Sequence, residues 1–334
     1  MKRSGTGIAI TGSGSAAPAG ILTNDDLAKI VDTSDEWIKS RTGIKNRHLA
    51  TASESVCQIS TVAAQKAISM AQIDAADIDL IILATSTPDD LFGSASKIQN
   101  MLGASKAVAF DLTAACSGFV FALVTAAQFI RTGAYQNILV IGGDILSRWV
   151  DWSDRSSNIL FGDGAGAIVC QATDSGDRLL GFEIYSDGTK NDCLTLAYQG
   201  GDRELIDGIS IAKGAYQPIW MNGREIYRFA IAKVPEVIEK ALFRAGLTAD
   251  AIDWLILHQA NQRIMDAVAE RLNIESEKVI SNIAEYGNTS AASIPIALDE
   301  AVRAGKIRSG DLIAISGFGA GLTWGAAIFQ WGDR

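Results

Sequence analysis

The chain has 334 residues, of which 48% are hydrophobic and 20% charged, and its formal net charge is −9. This composition is typical of a globular protein and excludes an intrinsically disordered one, while the acidic balance argues against nonspecific nucleic-acid binding, which depends on neutralising phosphates. The first residues lack the apolar core of a signal peptide, and no apolar run approaches the roughly 18 residues of a membrane span.

Short β-branched runs alternate with amphipathic stretches in the first half of the chain. We predict strands at 80–86, 107–112, 137–144 and 166–172, and helices at 55–71 and 116–131. The second half repeats the alternation, with strands predicted at 254–260, 278–283, 311–319 and 325–331 and helices at 224–245, 260–272 and 291–304. Continuous apolar strands between amphipathic helices indicate buried, parallel-rich sheets covered by helices, and therefore an α/β fold.

The two halves also resemble each other in sequence. Residues 77–86 match 251–260 at a displacement of 174 residues, and 131–143 match 303–317. We interpret this as a duplicated αβ unit, with halves at 1–180 and 181–334, although chance similarity between generic αβ segments is the alternative. A displacement of 172 relates Cys116 to Asn288, and one of 174 relates Ala84 to His258. These groups would then share the carboxyl edge of related strands, where α/β sheets bind ligands.

Cys116 stands between small residues where the helix predicted at 116–131 begins. A helix N-terminus favours the thiolate, so this position suits a nucleophile, although a small hydrophobe at a helix–sheet interface is equally compatible. The other cysteines, Cys57, Cys170 and Cys193, are interpreted as packing or incidental. The wide spacing of all four, without CxxC, predicts neither a metal site nor a disulfide framework and favours a reducing compartment, so we expect a cytoplasmic protein.

His258 follows an apolar strand, and Asn288 lies in a glycine turn before a run of small residues. His258 could be a structural histidine that only makes hydrogen bonds, and Asn288 could be a helix N-cap. Each side chain could instead donate a hydrogen bond to a reacting carbonyl. The other histidine, His48, sits among polar residues and is interpreted as non-catalytic. The glycines of 316–325 allow close backbone approach, either in a plain hairpin turn or in a loop that points N–H groups at an oxyanion.

Six motifs carry a resemblance to a known family, from about residue 6 to 331. They read DTSDEWIKSRTGI, AACSGF, ILFGDGAGA, HQANQRI, GNTSAAS and GFGAGLTWG. In this order and spacing they resemble β-ketoacyl-acyl-carrier-protein synthase III, the initiating condensing enzyme of type II fatty acid synthesis. The resemblance implies a thiolase-like fold of two halves in five αβαβα layers, and a homodimer.

The resemblance also implies roles for individual residues. Cys116 matches the nucleophile that takes an acyl group from acyl-CoA, and His258 with Asn288 match the pair that binds the malonyl thioester and promotes decarboxylation. Phe318 matches the phenylalanine beside the site, and the loop that continues through Gly319, Ala320 and Gly321 matches, with the Cys116 N–H, the oxyanion hole. Ala320 departs from the family, in which glycine is common at this position.

Further residues match substrate contacts of the family. Trp37 and Arg155, with Arg41 nearby, match residues that hold the adenine of CoA. Phe92 matches a residue that reaches across the dimer and limits the acyl pocket, which makes acetyl the expected primer. Arg228 and Arg263 match cations that dock the acidic acyl carrier protein. Arg224 stands where some relatives have Asn and so departs from the family. We therefore give it less weight than the other residues as a substrate-binding residue.

The expected reaction joins acetyl-CoA to malonyl-acyl carrier protein, releasing CoA and CO₂, with no cofactor and no metal because CoA enters as a substrate thioester. Alternatives are a related Cys–His–Asn condensing enzyme of polyketide type or with a longer primer, and a catalytically silent partner. Thiolases need a second catalytic cysteine, and Cys57, Cys170 and Cys193 are poorly placed for this role. Elongating synthases need a second catalytic histidine, for which His48 is poorly placed.

Overall fold

The computed structural model describes residues 6–332, in which strands and helices alternate along most of the chain. The strands are β1 (Gly7–Ala16), β2 (Gly20–Thr23), β3 (Asn46–Leu49), β4 (Leu80–Ala84), β5 (Val108–Leu112), β6 (Asn137–Ile145), β7 (Asp163–Thr173), β8 (Leu179–Ser186), β9 (Leu194–Thr195), β10 (Tyr198–Ile206), β11 (Ile209–Tyr216), β12 (Trp220–Met221), β13 (Trp254–Leu257), β14 (Val279–Ile280), β15 (Leu312–Gly319) and β16 (Thr323–Gln330).

The helices include long amphipathic segments and several single turns. They are α1 (Asn24–Leu27), α2 (Asp35–Thr42), α3 (Val56–Ala71), α4 (Ala95–Leu102), α5 (Gly118–Arg131), α6 (Arg155–Asn158), α7 (Gly223–Ala245), α8 (Gln262–Arg271), α9 (Ile283–Tyr286) and α10 (Ser293–Arg303). Side chains cap several of them at their N-termini: Ser55 accepts from the Gln58 N–H at α3, and Asn222 accepts from the Glu225 N–H at α7. Among residues 6–332, no helix combines the length and apolarity needed to cross a membrane.

Two five-stranded sheets have the same topology. The first has the order β1-β7-β6-β4-β5, and the second, read from its matching edge, β8-β16-β15-β13-β14. In each, the three strands on one side are parallel, and the two on the other side are joined antiparallel. The sheets are therefore mixed, and the prediction of parallel-rich sheets holds only for β4–β6 and β13–β15, because β1 and β8 were not recognised as strands.

The sheets and helices stack in five layers, as expected from the resemblance. Helices α5 and α10 form the middle layer, and their apolar side chains, such as Phe119, Leu123, Ile294 and Leu298, share one core with both sheets. Helices α3 and α4 cover the outer face of the first sheet, and α7 and α8 cover the second. Most of α5 is buried by this packing, and its less buried residues, Phe121, Thr125, Gln128 and Phe129, lie at helical spacing on one face.

The chain passes from the first sheet to the second between β7 and β8, that is, between Thr173 and Leu179. The division at 1–180 and 181–334 remains a prediction, and β8 begins just before it. The second half also carries a β10–β11 hairpin that the sequence analysis missed, whose residues are all exposed. Its glycines and alternating charges gave no continuous apolar run from which a buried strand could be predicted.

One glycine allows the two halves to approach closely. Gly142 lies in β6, and a Cβ built there would lie 2.2 Å from the Ala291 carbonyl oxygen and 3.3 Å from the Ala292 nitrogen. The segment that leads into α10 therefore rests directly on the first sheet at this point. An added methyl group would force the two backbones apart, because neither contact atom belongs to a flexible side chain.

We expect Gly142→Ala to lower the free energy of unfolding by about 1–3 kcal/mol, the usual cost of overpacking. Gly201→Ala is the control, because a Cβ at this hairpin glycine meets nothing within 4 Å. Urea unfolding followed by circular dichroism compares the two variants with the natural protein. Equal midpoints for Gly142→Ala and Gly201→Ala would contradict the close approach.

Candidate active site

The N-terminal ends of the two middle-layer helices meet. Cys116 lies on a single 3₁₀ turn, Ala115–Ser117, directly before α5, and a matching turn, Ser290–Ala292, precedes α10. The two turns are in contact, and a Cβ built on Gly118 would lie 3.6 Å from the Ala291 Cβ. The helix predicted to begin at Cys116 thus begins two residues later, and the thiol sits on the turn that leads into it.

The duplication extends to unusual backbone geometry at these turns. Ala115 has φ +46° and Ser290 has φ +51°, and they are the first residues of the two equivalent turns, 175 residues apart. The structural counterpart of Cys116 is therefore Ala291, and the predicted equivalence with Asn288 at 172 residues is wrong by three positions. The reason is that the connections between equivalent strands differ in length, so a displacement taken from the strands does not carry through them.

The last two strands bring a glycine-rich backbone against the cysteine. A Cβ on Gly317 would lie 3.1 Å from the Cys116 carbonyl oxygen, and one on Gly319 would lie 2.7 Å from the Cys116 nitrogen. Such distances are too short for any side chain, so β15 contacts the cysteine turn through its bare backbone. The same segment is the hairpin connection from β15 to β16, so the hairpin interpretation of the glycine motif is confirmed. The oxyanion role of its N–H groups stays a prediction.

The loop beyond Gly319 is held by a threonine. The Thr323 hydroxyl lies 3.0 Å from the carbonyl oxygens of both Ala320 and Ala114, which ties the loop to the cysteine turn. Gly321 has φ +127°, a conformation that only glycine adopts freely, whereas Ala320 is outside the left-handed region. The alanine that departs from the family pattern therefore imposes no backbone strain.

His258 is buried at the end of β13, with 2% of its surface exposed. Its N–H donates to the Ser316 carbonyl oxygen at 2.8 Å, its Nδ1 lies 2.8 Å from the Ser293 hydroxyl, and its ring packs edge-on against Phe318 at 5.3 Å. Burial lowers the pKa of His258 from 6.5 to about 3, so the imidazole is neutral near pH 7. Its Nε2 has no hydrogen-bond partner within residues 6–332.

Asn288 is fixed by its backbone and by its side-chain oxygen. Its N–H donates to the Leu160 carbonyl, its carbonyl accepts from the Gly162 N–H, and its Oδ1 accepts from the Ser290 N–H at 2.9 Å. Because α10 begins at Ser293, Asn288 is not the N-cap of that helix. The contact with the Ser290 N–H shows which atom of the Asn288 amide is the oxygen. The Nδ2 hydrogens have no partner in the described part of the chain and are available as neutral donors.

The electrostatics of Cys116 oppose the sequence prediction. Burial raises the pKa of the Cys116 thiol to about 12; the nearby Asp144 carboxylate also raises this pKa, while the Ser290 hydroxyl lowers it. The prediction that the helix start favours a thiolate is therefore wrong for this structure, because loss of solvent outweighs the helix N-terminus. The thiol is therefore neutral at rest.

Asp144 is a buried carboxylate that the sequence analysis did not single out. It accepts hydrogen bonds from the Thr85 hydroxyl, from the N–H groups of Ser86 and Thr87, and from the Ala291 N–H at 3.3 Å. Burial raises the pKa of this carboxyl, although these donors act in the opposite direction. Asp144 therefore ties the loop after β4 to the turn that precedes α10 and fixes the cysteine-facing edge of both halves.

Three of the predicted substrate-contact residues gather at the surface near the start of α8. The Arg155 guanidinium lies 4.8 Å from the centre of the Trp37 ring, and that of Arg41 lies 5.8 Å from it. Arg155 also donates to the Asp32 carbonyl at 2.7 Å. The Arg41 carbonyl accepts from the side chain of Asn261, the N-cap of α8, so this aromatic cluster is only a few residues from His258.

The two predicted carrier-docking cations lie on neighbouring helices. Arg228 is exposed on the second turn of α7 and pairs with Glu225 at 2.9 Å. Arg263, at the start of α8, lies 6.0 Å from the centre of the Tyr227 ring. The N-termini of α7 and α8 thus place both arginines on one surface, beside Arg224, which is also exposed on α7.

Phe92 does not join the site within one chain. Its side chain is fully exposed, as is most of Leu91, and it lines no pocket formed by its own subunit. The nearby strand β5 ends the first sheet, and Val108 on it is half exposed. An acyl-pocket role for Phe92 therefore requires a second copy of the chain.

The remaining cysteines and histidine lie apart from the site. Cys57 and Cys170 are buried in α3 and β7, Cys193 is partly exposed at the end of a 3₁₀ helix, Gly188–Cys193, and all four cysteines of the chain are free. The Nδ1 of His48 lies 2.6 Å from the Pro18 carbonyl, and its ring stacks on Tyr286 at 5.1 Å. These placements agree with packing roles for these residues.

Comparison with known proteins identifies the family. Two family models match, described as 3-oxoacyl-(acyl-carrier-protein) synthase III over residues 110–188 and as the C terminal of the same synthase over 242–331. A relative from Microcystis aeruginosa, named beta-ketoacyl-(acyl-carrier-protein) synthase III, is 67% identical over 333 residues, covering 100% of both chains.

Solved structures agree with these matches. The 3-oxoacyl-(acyl-carrier-protein) synthase III of Aquifex aeolicus is 45% identical, with a TM-score of 0.89 over 97% of this chain and 100% of its own. The priming β-ketosynthase of a polyketide biosynthetic pathway is 32% identical, with a TM-score of 0.89 over 99% of this chain and 98% of its own. The five-layered thiolase-like fold and the matches along the whole chain show that this protein belongs to the β-ketoacyl-acyl-carrier-protein synthase III family of condensing acyltransferases, which initiate fatty acid biosynthesis.

Proposed function

We propose that this chain condenses an acetyl group from acetyl-CoA with a malonyl group carried by acyl carrier protein, and that Cys116, His258 and Asn288 perform the chemistry. The observation that supports this assignment is the contact between the turn that carries Cys116 and the turn Ser290–Ala292. Asn288 accepts a hydrogen bond from the Ser290 N–H, and His258 lies against Ser293, the first residue of α10. The high identity to a beta-ketoacyl-(acyl-carrier-protein) synthase III supports this reaction over its polyketide-type counterpart.

The first step is transfer of the acyl group to the cysteine. The Cys116 sulfur attacks the thioester carbonyl, the bond to the CoA sulfur breaks, and the thiol proton leaves with CoA as its free thiol. Because one thioester replaces another, the step needs no external energy and no net proton acceptor. A buried thiol that is neutral at rest is compatible with this balance, provided that its proton moves during the transfer.

The second step generates a carbanion equivalent without a strong base. Loss of CO₂ from the malonyl group leaves an enolate, whose negative oxygen must be stabilised in a dry site. The Nε2–H of neutral His258 and the Nδ2–H of Asn288 are suitable donors, since neither adds a charge. The enolate carbon then attacks the acetyl-cysteine carbonyl, and collapse of that intermediate breaks the carbon–sulfur bond to Cys116 and releases acetoacetyl-acyl carrier protein. The Cys116 thiolate that leaves takes up one proton from water and returns to the neutral thiol.

The oxyanion of that intermediate needs its own donors. The backbone at Gly319 lies against the Cys116 nitrogen, which supports an oxyanion hole formed by the Cys116 N–H and the Phe318–Gly321 loop. Every group assigned to these steps belongs to the protein or to the substrates, and we therefore propose that the reaction uses no cofactor.

The CoA nucleotide is assigned to Trp37, Arg41 and Arg155. An indole and a guanidinium on opposite faces of adenine would lie about 7 Å apart, two van der Waals spacings of about 3.5 Å. In this structure Arg155 contacts Trp37 at 4.8 Å. Binding of the base therefore requires the Arg155 side chain to move, which its place on the single-turn helix α6 allows.

We further propose that the chain forms a cytoplasmic homodimer and that Phe92 of each subunit limits the acyl pocket of the other, favouring acetyl as primer. The exposure of Phe92, Leu91 and the edge strand β5 supports such an interface, because soluble proteins seldom leave a large aromatic side chain wholly in water. Four free cysteines are compatible with a reducing compartment.

We expect Cys116→Ser to reduce acetyl transfer from acetyl-CoA to the protein by at least about 10³-fold, because the hydroxyl is a far weaker nucleophile than sulfur. Cys193→Ser is the control and should load normally, since Cys193 lies outside the site. Mass spectrometry of the intact protein after a timed exposure measures the acetyl adduct. Loading of Cys116→Ser at the rate of the control would overturn the assignment.

The low pKa of His258 predicts an acid-dependent loss of stability. The unfolded chain takes up a proton on this side chain below about pH 6.5, whereas the folded chain resists protonation down to about pH 3. The unfolded state therefore binds more protons in this window, and the free energy of unfolding falls as the pH decreases. His258→Asn should lose less stability than the natural protein between pH 7 and pH 5 in urea unfolding; an equal loss would show that His258 is not held neutral.

We expect the double variant Arg228→Glu, Arg263→Glu to raise the KM for malonyl-acyl carrier protein by about 10-fold or more, because two cations facing an acidic partner become anions. Acetyl loading from acetyl-CoA should be nearly unchanged. The control is Arg244→Glu, the same charge reversal about 24 Å farther along α7. Equal losses in both half-reactions, or an equal effect of the control, would exclude this docking surface.

A further inference from the structure

The hydroxyl of Ser293 contacts the ring of His258 on the side away from Nε2. Ser293 is the first residue of α10 and is buried, with 2% of its surface exposed. Its Oγ lies 2.8 Å from His258 Nδ1 and accepts a hydrogen bond from the Gln259 N–H at 3.3 Å. These are the only two hydrogen-bond partners of this hydroxyl within residues 6–332.

This pair of contacts decides where each proton lies. A serine hydroxyl has one proton to donate, and the Gln259 N–H already occupies one of its lone pairs. If His258 Nδ1 carried a proton, the Ser293 oxygen would accept twice and its own proton would be buried without an acceptor, which is costly. If Ser293 donates to Nδ1 instead, the Ser293 proton, His258 Nδ1 and the Gln259 N–H all have partners, and only Nε2 is left without one in the described residues.

We propose that Ser293 is a positioning residue that holds His258 in the tautomer with its proton on Nε2. In a neutral imidazole, an Nδ1 that accepts a hydrogen bond leaves the ring proton on Nε2. The inference rests on the proposed role of His258, because only this tautomer can donate to the oxygen of the malonyl thioester and its enolate. Ser293 itself touches neither the substrate nor the reacting atoms.

The remaining contacts of His258 fix the direction of the ring without choosing its tautomer. The His258 N–H to the Ser316 carbonyl anchors the backbone, and the edge-on contact with Phe318 restricts rotation of the ring. Neither contact involves a ring nitrogen. Ser293 is thus the one side chain in the described structure with a hydrogen bond to the imidazole, and the middle-layer helix α10 supplies it from its first turn.

The chain contains an internal reference for a spectroscopic test. It has only two histidines. The Nδ1 of His48 lies 2.6 Å from the Pro18 carbonyl, which can only accept, so neutral His48 carries its proton on Nδ1. In the full-length protein labelled with ¹⁵N-histidine, the two rings should therefore show opposite tautomers near pH 8, and His48→Gln assigns the signals.

We expect Ser293→Ala to change the ¹⁵N shifts of His258 from the Nε2–H pattern to a mixture of both tautomers, while the His48 signals stay in place and report an intact fold. Ser293→Thr, which retains the hydroxyl, should preserve the natural pattern; if Thr does not fold, the Ala variant alone still decides the question. An Nδ1–H pattern in the natural protein, or an unchanged pattern in Ser293→Ala, would overturn the proposal.

The same variants separate the two half-reactions. We expect Ser293→Ala to slow decarboxylation of malonyl-acyl carrier protein by roughly 10²-fold, the usual contribution of one well-placed donor, and to leave acetyl loading on Cys116 nearly unchanged. An equal slowing of both half-reactions would indicate a merely structural role and overturn the proposal. His258→Ala distinguishes the two hypotheses: full decarboxylation in that variant would refute the proposed function of His258, whatever tautomer the spectra show.

Discussion

The constraint on which this structure depends is the burial of two helices, α5 and α10, between two sheets. Their N-terminal turns carry buried residues and pack against each other and against the sheet edges. Bare backbone makes this possible: Gly142 accommodates the carbonyl of Ala291, and Gly319 accommodates the nitrogen of Cys116. The candidate active site is the place where these buried helix ends meet.

Burial also sets the electrical character of the site. It raises the pKa of Cys116 and lowers that of His258, so both groups are neutral near pH 7. A neutral thiol and neutral donors suit a reaction in which negative charge appears only transiently, on an enolate or an oxyanion. A fixed charge would bind the resting thioester as strongly as the transition state and would therefore not lower the barrier. The arginines around Trp37 and at the starts of α7 and α8 lie at the surface, outside this buried site.

The two halves have the same topology but have diverged in their chemistry. Where the first half has Cys116 on the turn before its central helix, the second has Ala291, and where the second has His258 at a strand end, the first has Ala84. The buried carboxylate of Asp144 joins the loop after β4 to the turn before α10. One site thus replaces the two that an exact duplication would give, and each half supplies what the other lacks.

The sequence by itself determined the layered α/β class and the positions of the long central strands and helices, and it singled out Cys116, His258 and Asn288 as candidate site residues, because apolar periodicity and short motifs are local properties of the chain. The edge strands β1 and β8 escaped it, since half-polar strands resemble loops. Only the tertiary structure decided the equivalence of Cys116 with Ala291, the neutral state of the thiol and the role of Ser293. These depend on loop lengths, on solvent exclusion and on a contact between residues 35 positions apart, which arise only when distant segments pack together.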